Sequence, residues 1–189
     1  MDLSLQEYRR IALMSLWTGM IATVGFVFAL IPNIEFVLLS AFLGGIALGA
    51  RSGFLVALLG EAIFSALNPI GSGLGFPILY AFQLFAVGVA GWTGGLLRYR
   101  LSRMENSYFL TASLGVLGFS LTLLFDTLTA MSFPLSAGLT EGTLLATFST
   151  GLVFFMTHLI SNTILFGLFG PTLIRLVNRQ LLMHGMVHA

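Results

Sequence analysis

Four polar side chains lie inside long apolar stretches of this sequence, and their chemistry needs an explanation. Two are acids, Glu61 and Asp126, and two are a histidine and an asparagine spaced four residues apart, His158 and Asn162. Burying a charged or polar group is costly unless it is paired or hydrogen-bonded. Each of the four therefore needs a partner, which can be another side chain, a ligand or water.

Each of these residues belongs to a polar stripe at helical spacing. Residues three or four positions apart share one face of a helix. The stripes, in chain order, are Glu61, Ser65 and Asn68; Tyr80 and Gln83; Thr122, Asp126 and Thr129; and His158 and Asn162. We predict that the four stripes converge on a cavity open to the outside. Its expected aromatic rim consists of Phe26, Phe28, Phe76, Tyr80 and Phe155.

The same residues also permit a purely structural interpretation. Glu61 can be an interhelical tie, and His158 with Asn162 can hydrogen-bond between helices. Thr122 can bond its own helix backbone. A structural membrane subunit therefore remains an alternative, and it predicts that the polar groups pair with one another and leave no cavity.

Composition predicts an integral membrane protein with a single helical domain over residues 1–189. Apolar residues make up 57% of the chain, charged residues only 8%, and the mean hydropathy is +1.00, far from the values of soluble domains. There is no cysteine, which excludes disulfides and thiolate sites. The start of the chain, MDLSLQEYRR, lacks a small-residue cleavage site, so we expect a retained first helix.

Six apolar segments are long enough, or nearly so, to cross a bilayer. They are residues 11–31, 34–50, 52–67, 76–97, 107–130 and 147–174. The second and third are short and adjacent, which leaves a re-entrant hairpin as an alternative. Six crossings with both termini in the cytoplasm put every basic residue on one side, as the positive-inside rule requires. These residues are Arg9, Arg10, Arg51, Arg98, Arg100, Arg103, Arg175 and Arg179.

Motifs of membrane enzymes are incomplete in this sequence. An intramembrane hydrolase using His158, Asn162 and Glu61 is the alternative, because Phe154 and His158 have a spacing seen in intramembrane proteases. The paired glutamates of those proteases are missing, as are G-x-S-x-G, H-E-x-x-H and a Walker A sequence. We predict a non-enzymatic protein with no cofactor, no metal and no nucleic-acid partner.

The organisation of the chain resembles the substrate-binding S components of energy-coupling factor (ECF) transporters, which import vitamins into prokaryotes. The resemblance covers nearly the whole chain and includes a glycine-rich second and third helix, a basic loop and the final helix. The segments that carry it are GGIALGARSGFLVALLGEAIFSALNPIGSG, RYRLSR and HLISNTILFGLFGPTLIRL. One departure is in the first helix, where Ser15, Gly19 and Thr23 replace the Ala-x-x-x-Ala that often docks on the coupling subunit.

The resemblance implies a multi-pass protein of a prokaryotic plasma membrane that captures a vitamin-like small molecule from outside. It implies assembly through Ser15, Gly19 and Thr23 with a transmembrane coupling subunit and two ABC-type ATPases. Packing of the same small-residue stripe within the bundle is the alternative. The implied substrate-binding residues are Glu61, Asn68, Tyr80, Gln83, Thr122, Asp126, His158 and Asn162. The implied lid comprises the loops 68–76 and 131–142 together with Asn33, Glu35, Gly71 and Gly73.

The balance of charged residues bears on the substrate. Two interior acids face one histidine, and the cavity is expected to contain no arginine. This balance favours a neutral or cationic ligand with an aromatic ring over a multiply anionic one, although a buried acid can also be protonated.

Overall fold

The computed structural model describes residues 4–31, 34, 36–104 and 108–183, and these residues form helices without any β-strand. The six α-helices are α1 (Leu5–Phe28), α2 (Val37–Leu48), α3 (Ala50–Leu67), α4 (Pro77–Ser102), α5 (Tyr108–Ala137) and α6 (Glu141–Met183). A short 3₁₀ turn, Gly73–Gly75, precedes α4. Five helices are long and apolar enough to cross a membrane, which supports a multi-pass membrane protein. The all-α prediction is confirmed, while the side of the membrane on which the ends lie remains a prediction.

The second helix is the short one, and it forms the centre of the bundle. Its 12 residues span about 18 Å, whereas the hydrocarbon core of a bilayer is about 30 Å thick. Every residue from 37 to 47 is buried, because α2 contacts each of the other five helices. The structure thus has a central helix where the sequence predicts a span over 34–50.

Successive helices alternate in direction. On the parallel pair α1 and α3, Arg10 donates a hydrogen bond to Ser52 near the two helix starts, and Phe64 packs over Gly25 near the two ends. On the antiparallel pair α5 and α6, Asp126 meets His158. We call the end of the bundle where α1, α3 and α5 finish the cavity end, and the opposite end the arginine end.

Glycines bring α2, α3 and α4 into backbone contact. A Cβ added at Gly45 would collide with the carbonyl oxygen of Gly91, and one added at Gly91 would collide with the carbonyl oxygen of Gly53. Small residues allow such close approach between helices in lipid. This contact fixes α3 against α4, the two helices that carry Glu61 and Gln83.

Local chemistry explains several helix ends. Ser4 and Glu7 form a capping box at the start of α1, with each side chain accepting a hydrogen bond from the other's backbone N–H. Helix α3 stops at Leu67 because Asn68 precedes a proline, which disfavours the helical conformation. Pro77 opens α4 at a position where its missing N–H is not needed.

The predicted loop over residues 131–142 is wrong. Helix α5 continues to Ala137 and α6 begins at Glu141, so only residues 138–140 are non-helical. Pro134 lies inside α5. Ser132 and Ser136, on either side of it, donate hydrogen bonds to the backbone carbonyls of Thr129 and Ser132. Serine hydroxyls of this kind help a membrane helix to continue through a proline. The predicted span 147–174 and the described part of the span 107–130, which begins at residue 108, therefore lie within helices of 43 and 30 residues.

Candidate functional site

A cavity of about 350 Å³ lies at the cavity end of the bundle. Its lining combines a few polar groups with several aromatic rings, as small-molecule sites do. The polar lining residues are Glu61, Asn68, Gln83 and His158. The aromatic lining residues are Phe28, Phe64, Phe125 and Phe154. The remaining lining residues are Gly25, Ala29, Ile31, Val37 and Ile70, so all six helices contribute.

Glu61 lies on α3 with only 2% of its surface exposed. The preceding residue, Gly60, lets α3 approach α1 closely, since a Cβ there would lie 2.7 Å from Ile21. This contact turns Glu61 toward the cavity between the helices. A carboxylate in this position can pair with a cation or accept hydrogen bonds from a ligand.

Asp126 and His158 form a buried pair between α5 and α6. The Nδ1 atom of His158 lies 2.7 Å from Oδ1 of Asp126, and both residues are at most 3% exposed. When Asp126 is ionised, Nδ1 carries a proton and donates to it, which orients the imidazole. The ring centroids of Phe125 and Phe154 lie 5.9 and 5.8 Å from that of the imidazole. The histidine is thus held by a carboxylate and two aromatic rings at the cavity wall.

A second polar layer lies one helical turn nearer the arginine end. Two contacts set the register of α5 against α6: Phe166 packs at Gly118, and His158 meets Asp126. Thr122 and Asn162 each lie midway between these contacts on their helices, so they are at the same level. Both are fully buried. Asn162 donates to the His158 carbonyl over 3.3 Å. Within the described ranges, Oγ1 of Thr122 and Oδ1 of Asn162 have no hydrogen-bond partner, which is uncommon for buried polar atoms.

The α3–α4 contact orients the polar residues at the start of α4. Ser65 donates to Oε1 of Gln83 over 2.7 Å, which leaves the NH₂ group of Gln83 to donate toward a ligand. The hydroxyl of Tyr80 donates to the Ala62 carbonyl over 3.2 Å, so this residue ties the two helices together beside the cavity.

The loop between α3 and α4 packs against the helices. Ser72 donates to the Ala66 carbonyl over 2.7 Å. Gly73 is buried, and a Cβ there would collide with the Ser65 hydroxyl, whereas Gly71 faces open space. Of the expected lid residues, Asn33 and Glu35 lie outside the described residues.

The eight predicted site residues therefore lie in four positions relative to the cavity. Glu61, Asn68, Gln83 and His158 line the cavity. Asp126 lies behind the lining and holds His158, and Thr122 and Asn162 form the layer beneath. Tyr80 lies beside the cavity, where its hydroxyl connects α4 to α3. The sequence did not single out the rings of Phe64, Phe125 and Phe154 as lining residues, although each lies adjacent to a polar site residue or within one helical turn of it.

The other expected features lie on outer surfaces. Ser15, Gly19 and Thr23 are all exposed on α1, and a Cβ at Gly19 would meet no atom within 4 Å.

A larger groove of about 560 Å³ runs between α3 and α4, lined by Arg51, Phe54, Leu55, Phe85, Val89 and Trp92. Its lining is almost wholly apolar and lies on the outer face of the helices, so it lacks the converging polar groups of a specific site.

The described residues contain no group of three or more His, Cys, Asp or Glu side chains placed to hold a metal ion. Comparisons with protein-family models, with curated proteins and with solved structures found no match. The cavity and its side chains are therefore the basis for inferring a function.

Proposed function

We propose that this protein is the membrane-embedded substrate-binding subunit, or S component, of an ECF-type importer in a prokaryotic plasma membrane. It captures a vitamin-like small molecule in the cavity, which faces the outside, while both termini lie in the cytoplasm. ATP hydrolysis is supplied by two partner ATPases through a transmembrane coupling subunit. The protein itself performs no chemical reaction.

The observation that carries this proposal is the cavity of about 350 Å³ with Glu61 and His158 in its wall. A structural subunit is expected to pair its polar groups with one another and leave no such space. Asp126 and His158 do pair, but the space is present. The placement of the arginines adds support, because a positive arginine end is expected to face the cytoplasm, which puts the cavity on the outer side.

The hydrolase alternative is less well supported. Asp126 and His158 resemble the orienting half of a Ser-His-Asp triad. However, Ser149 and Ser161, the nearby serines in the sequence, donate their hydroxyls to helix carbonyls at Ala146 and His158. These bonds direct neither hydroxyl at the imidazole, so they give no support to a serine nucleophile beside His158.

Native mass spectrometry of the gently purified protein tests the binding function. We expect a retained small molecule in the wild type and weaker retention in Glu61→Gln and in Asp126→Asn, with the protein still folded. Glu141→Gln is the matched control, because Glu141 is an exposed acid at the start of α6. Wild-type protein that is empty, and stays empty after loading with a panel of vitamins, would contradict the proposal.

Co-purification with the coupling subunit and ATPases tests the assembly. Gly19→Leu places a bulky group on the exposed face of α1, and we expect it to block assembly while sparing ligand binding. Ala112→Leu makes the same kind of change at an exposed position of α5 and serves as the control. Normal co-purification of the Gly19→Leu variant with its partners would show that this face of α1 is not the docking surface.

A further inference from the structure

The polar groups of the cavity wall differ in the hydrogen-bonding capacity that they retain. The polar lining residues are Glu61, Asn68, Gln83 and His158. His158 is held by Asp126, and Glu61 is also engaged in an interaction within the protein. The two amides, Asn68 and Gln83, are therefore the lining residues whose donors and acceptors can be counted one by one.

Asn68 follows directly after α3, and its side chain binds the turn that comes next. The backbone N–H of Ile70 donates to Oδ1 of Asn68 over 3.0 Å. A backbone N–H can only donate, so the oxygen of the amide must be the atom that faces Ile70. The NH₂ group is left over, and among the described residues it has no hydrogen-bond partner. Asn68 thus contributes an unpaired donor to the cavity lining.

Gln83 is oriented in the same sense by α3 and by the loop that follows it. Ser65 donates to Oε1 of Gln83 over 2.7 Å, and a Cβ added at the buried Gly73 would lie 3.3 Å from the same oxygen. Oε1 therefore faces Ser65 and the loop, and the NH₂ group makes no hydrogen bond to any residue that the structure describes. Ser65 lies one turn before Asn68 on α3, so the two amides, which we call the amide pair, lie on the same side of the cavity.

The amide pair determines which polar atoms a ligand needs on that side. A ligand atom that accepts a hydrogen bond satisfies one of the two NH₂ groups. An apolar atom or an N–H group at the same place leaves the donor buried without a partner, which costs free energy. The pair therefore favours acceptor atoms on the ligand, such as carbonyl oxygens and ring nitrogens.

The aromatic lining and the size of the cavity limit the shape of the ligand. Rings from α1, α3, α5 and α6 line it, and aromatic faces stack against a planar ligand. These rings belong to Phe28, Phe64, Phe125 and Phe154. The volume of about 350 Å³ is near the lower end of the range for small-molecule pockets. One or two fused rings with short substituents fit that volume.

We infer that the cavity selects a small planar ring compound with two hydrogen-bond acceptors on one edge. Asn68 and Gln83 donate to these acceptors, and the phenylalanine rings pack against the faces of the ligand. The selection comes from neutral donors, so it does not depend on the charge of the buried acids. This inference rests on the proposed function, because it names the substrate class of the same site.

Three uncharged probes of similar size test the acceptor preference. Phthalazine and naphthalene have the same two fused rings, and only phthalazine carries two acceptor nitrogens, side by side on one edge. Indole carries an N–H donor instead. Binding is measured by equilibrium dialysis against the full chain in nanodiscs, and empty nanodiscs correct for partition into lipid. Because the probes differ in hydrophobicity, each variant is compared with the wild type for one probe at a time.

Two nearly isosteric variants remove the donors and keep the structural hydrogen bonds. Gln83→Glu and Asn68→Asp replace each NH₂ group by oxygen, while the acceptors for Ser65 and Ile70 remain. Each should weaken phthalazine binding about 5-fold or more, as expected for the loss of one hydrogen bond, and should change naphthalene and indole binding much less. Gln83→Met, which adds no charge, should weaken phthalazine binding as well. Gln6→Glu, at an exposed position in the first turn of α1, is the control and should change nothing.

The outcomes separate the inference from the proposed function. An equal loss for all three probes, or an unchanged phthalazine affinity in folded variants at both positions, would overturn the acceptor preference while leaving the protein a binder. Absence of phthalazine binding to the wild type, or a molecule without ring acceptors retained in native mass spectrometry, would do the same. If the protein retains no molecule at all and binds no vitamin, the proposed function itself fails.

Discussion

Replacing Gly91 with alanine tests the packing that places the cavity residues of α3 and α4. The new Cβ would collide with the carbonyl oxygen of Gly53 and lie 2.8 Å from the Cβ of Ala57. Backbone atoms cannot move aside as a flexible side chain can. The two helices must therefore separate by about 1 Å to restore an ordinary contact distance of ~3.5–4.0 Å.

A matched control corrects for the higher helix propensity of alanine compared with glycine. In Gly115→Ala on α5, the new Cβ would meet the carbonyl oxygen of Thr163 at 3.5 Å, an ordinary contact. Both changes gain helix propensity of up to about 1 kcal/mol. Only Gly91→Ala suffers overpacking, which typically costs about 1–3 kcal/mol. The difference in free energy of unfolding between the two variants should therefore be about 1–3 kcal/mol.

Thermal unfolding in detergent, followed by the fluorescence of Trp17 and Trp92, measures this difference. For a chain of this size, 1 kcal/mol corresponds to about 2–4 °C in melting temperature. Gly91→Ala should thus melt about 2–12 °C below Gly115→Ala. Equal melting temperatures would refute the reasoning, because they would mean that α3 and α4 are not in backbone contact at Gly91.

Two further substitutions probe single groups. Thr122→Val should leave the melting temperature unchanged or slightly higher. In the described structure Oγ1 is buried without a hydrogen-bond partner, and removing such a group is not costly. A clear decrease in the melting temperature would reveal a partner such as a buried water. Gly138→Ala should cost about 1–3 kcal/mol, since φ at this residue is +108° and side chains strain that conformation. Gly142→Ala, whose new Cβ would meet only Thr140 Oγ1 at 3.8 Å, should cost nothing, and an equal loss in both variants would argue against strain at Gly138.

Polarity at helical spacing was a reliable guide to which residues point inward. Glu61, Asp126, His158 and Asn162 were singled out because they are polar within apolar segments, and all four are buried. Ionisable residues are costly in lipid and almost always face the interior of the bundle, whereas hydroxyl residues need not, as the exposed Ser15 and Thr23 show.

Aromatic residues could not be assigned in the same way. A phenylalanine suits the lipid, the core and a ligand site equally well, so the pattern does not distinguish Phe154 at the cavity from Phe76, which is 68% exposed. The loop prediction over residues 131–142 failed for a related reason. Proline, glycine and serine signal a turn in soluble proteins, but a membrane helix can continue through Pro134.

The brevity of α2 has a consequence for how the chain enters the membrane. A helix of 12 residues leaves backbone groups at its ends within the hydrocarbon, where water cannot satisfy them. Only Gly49 separates α2 from α3. We therefore expect α2 and α3 to enter the membrane together as a helical hairpin. We expect this central helix to be stably integrated only after α3 and α4, which are synthesised later and make most of its contacts, have packed against it.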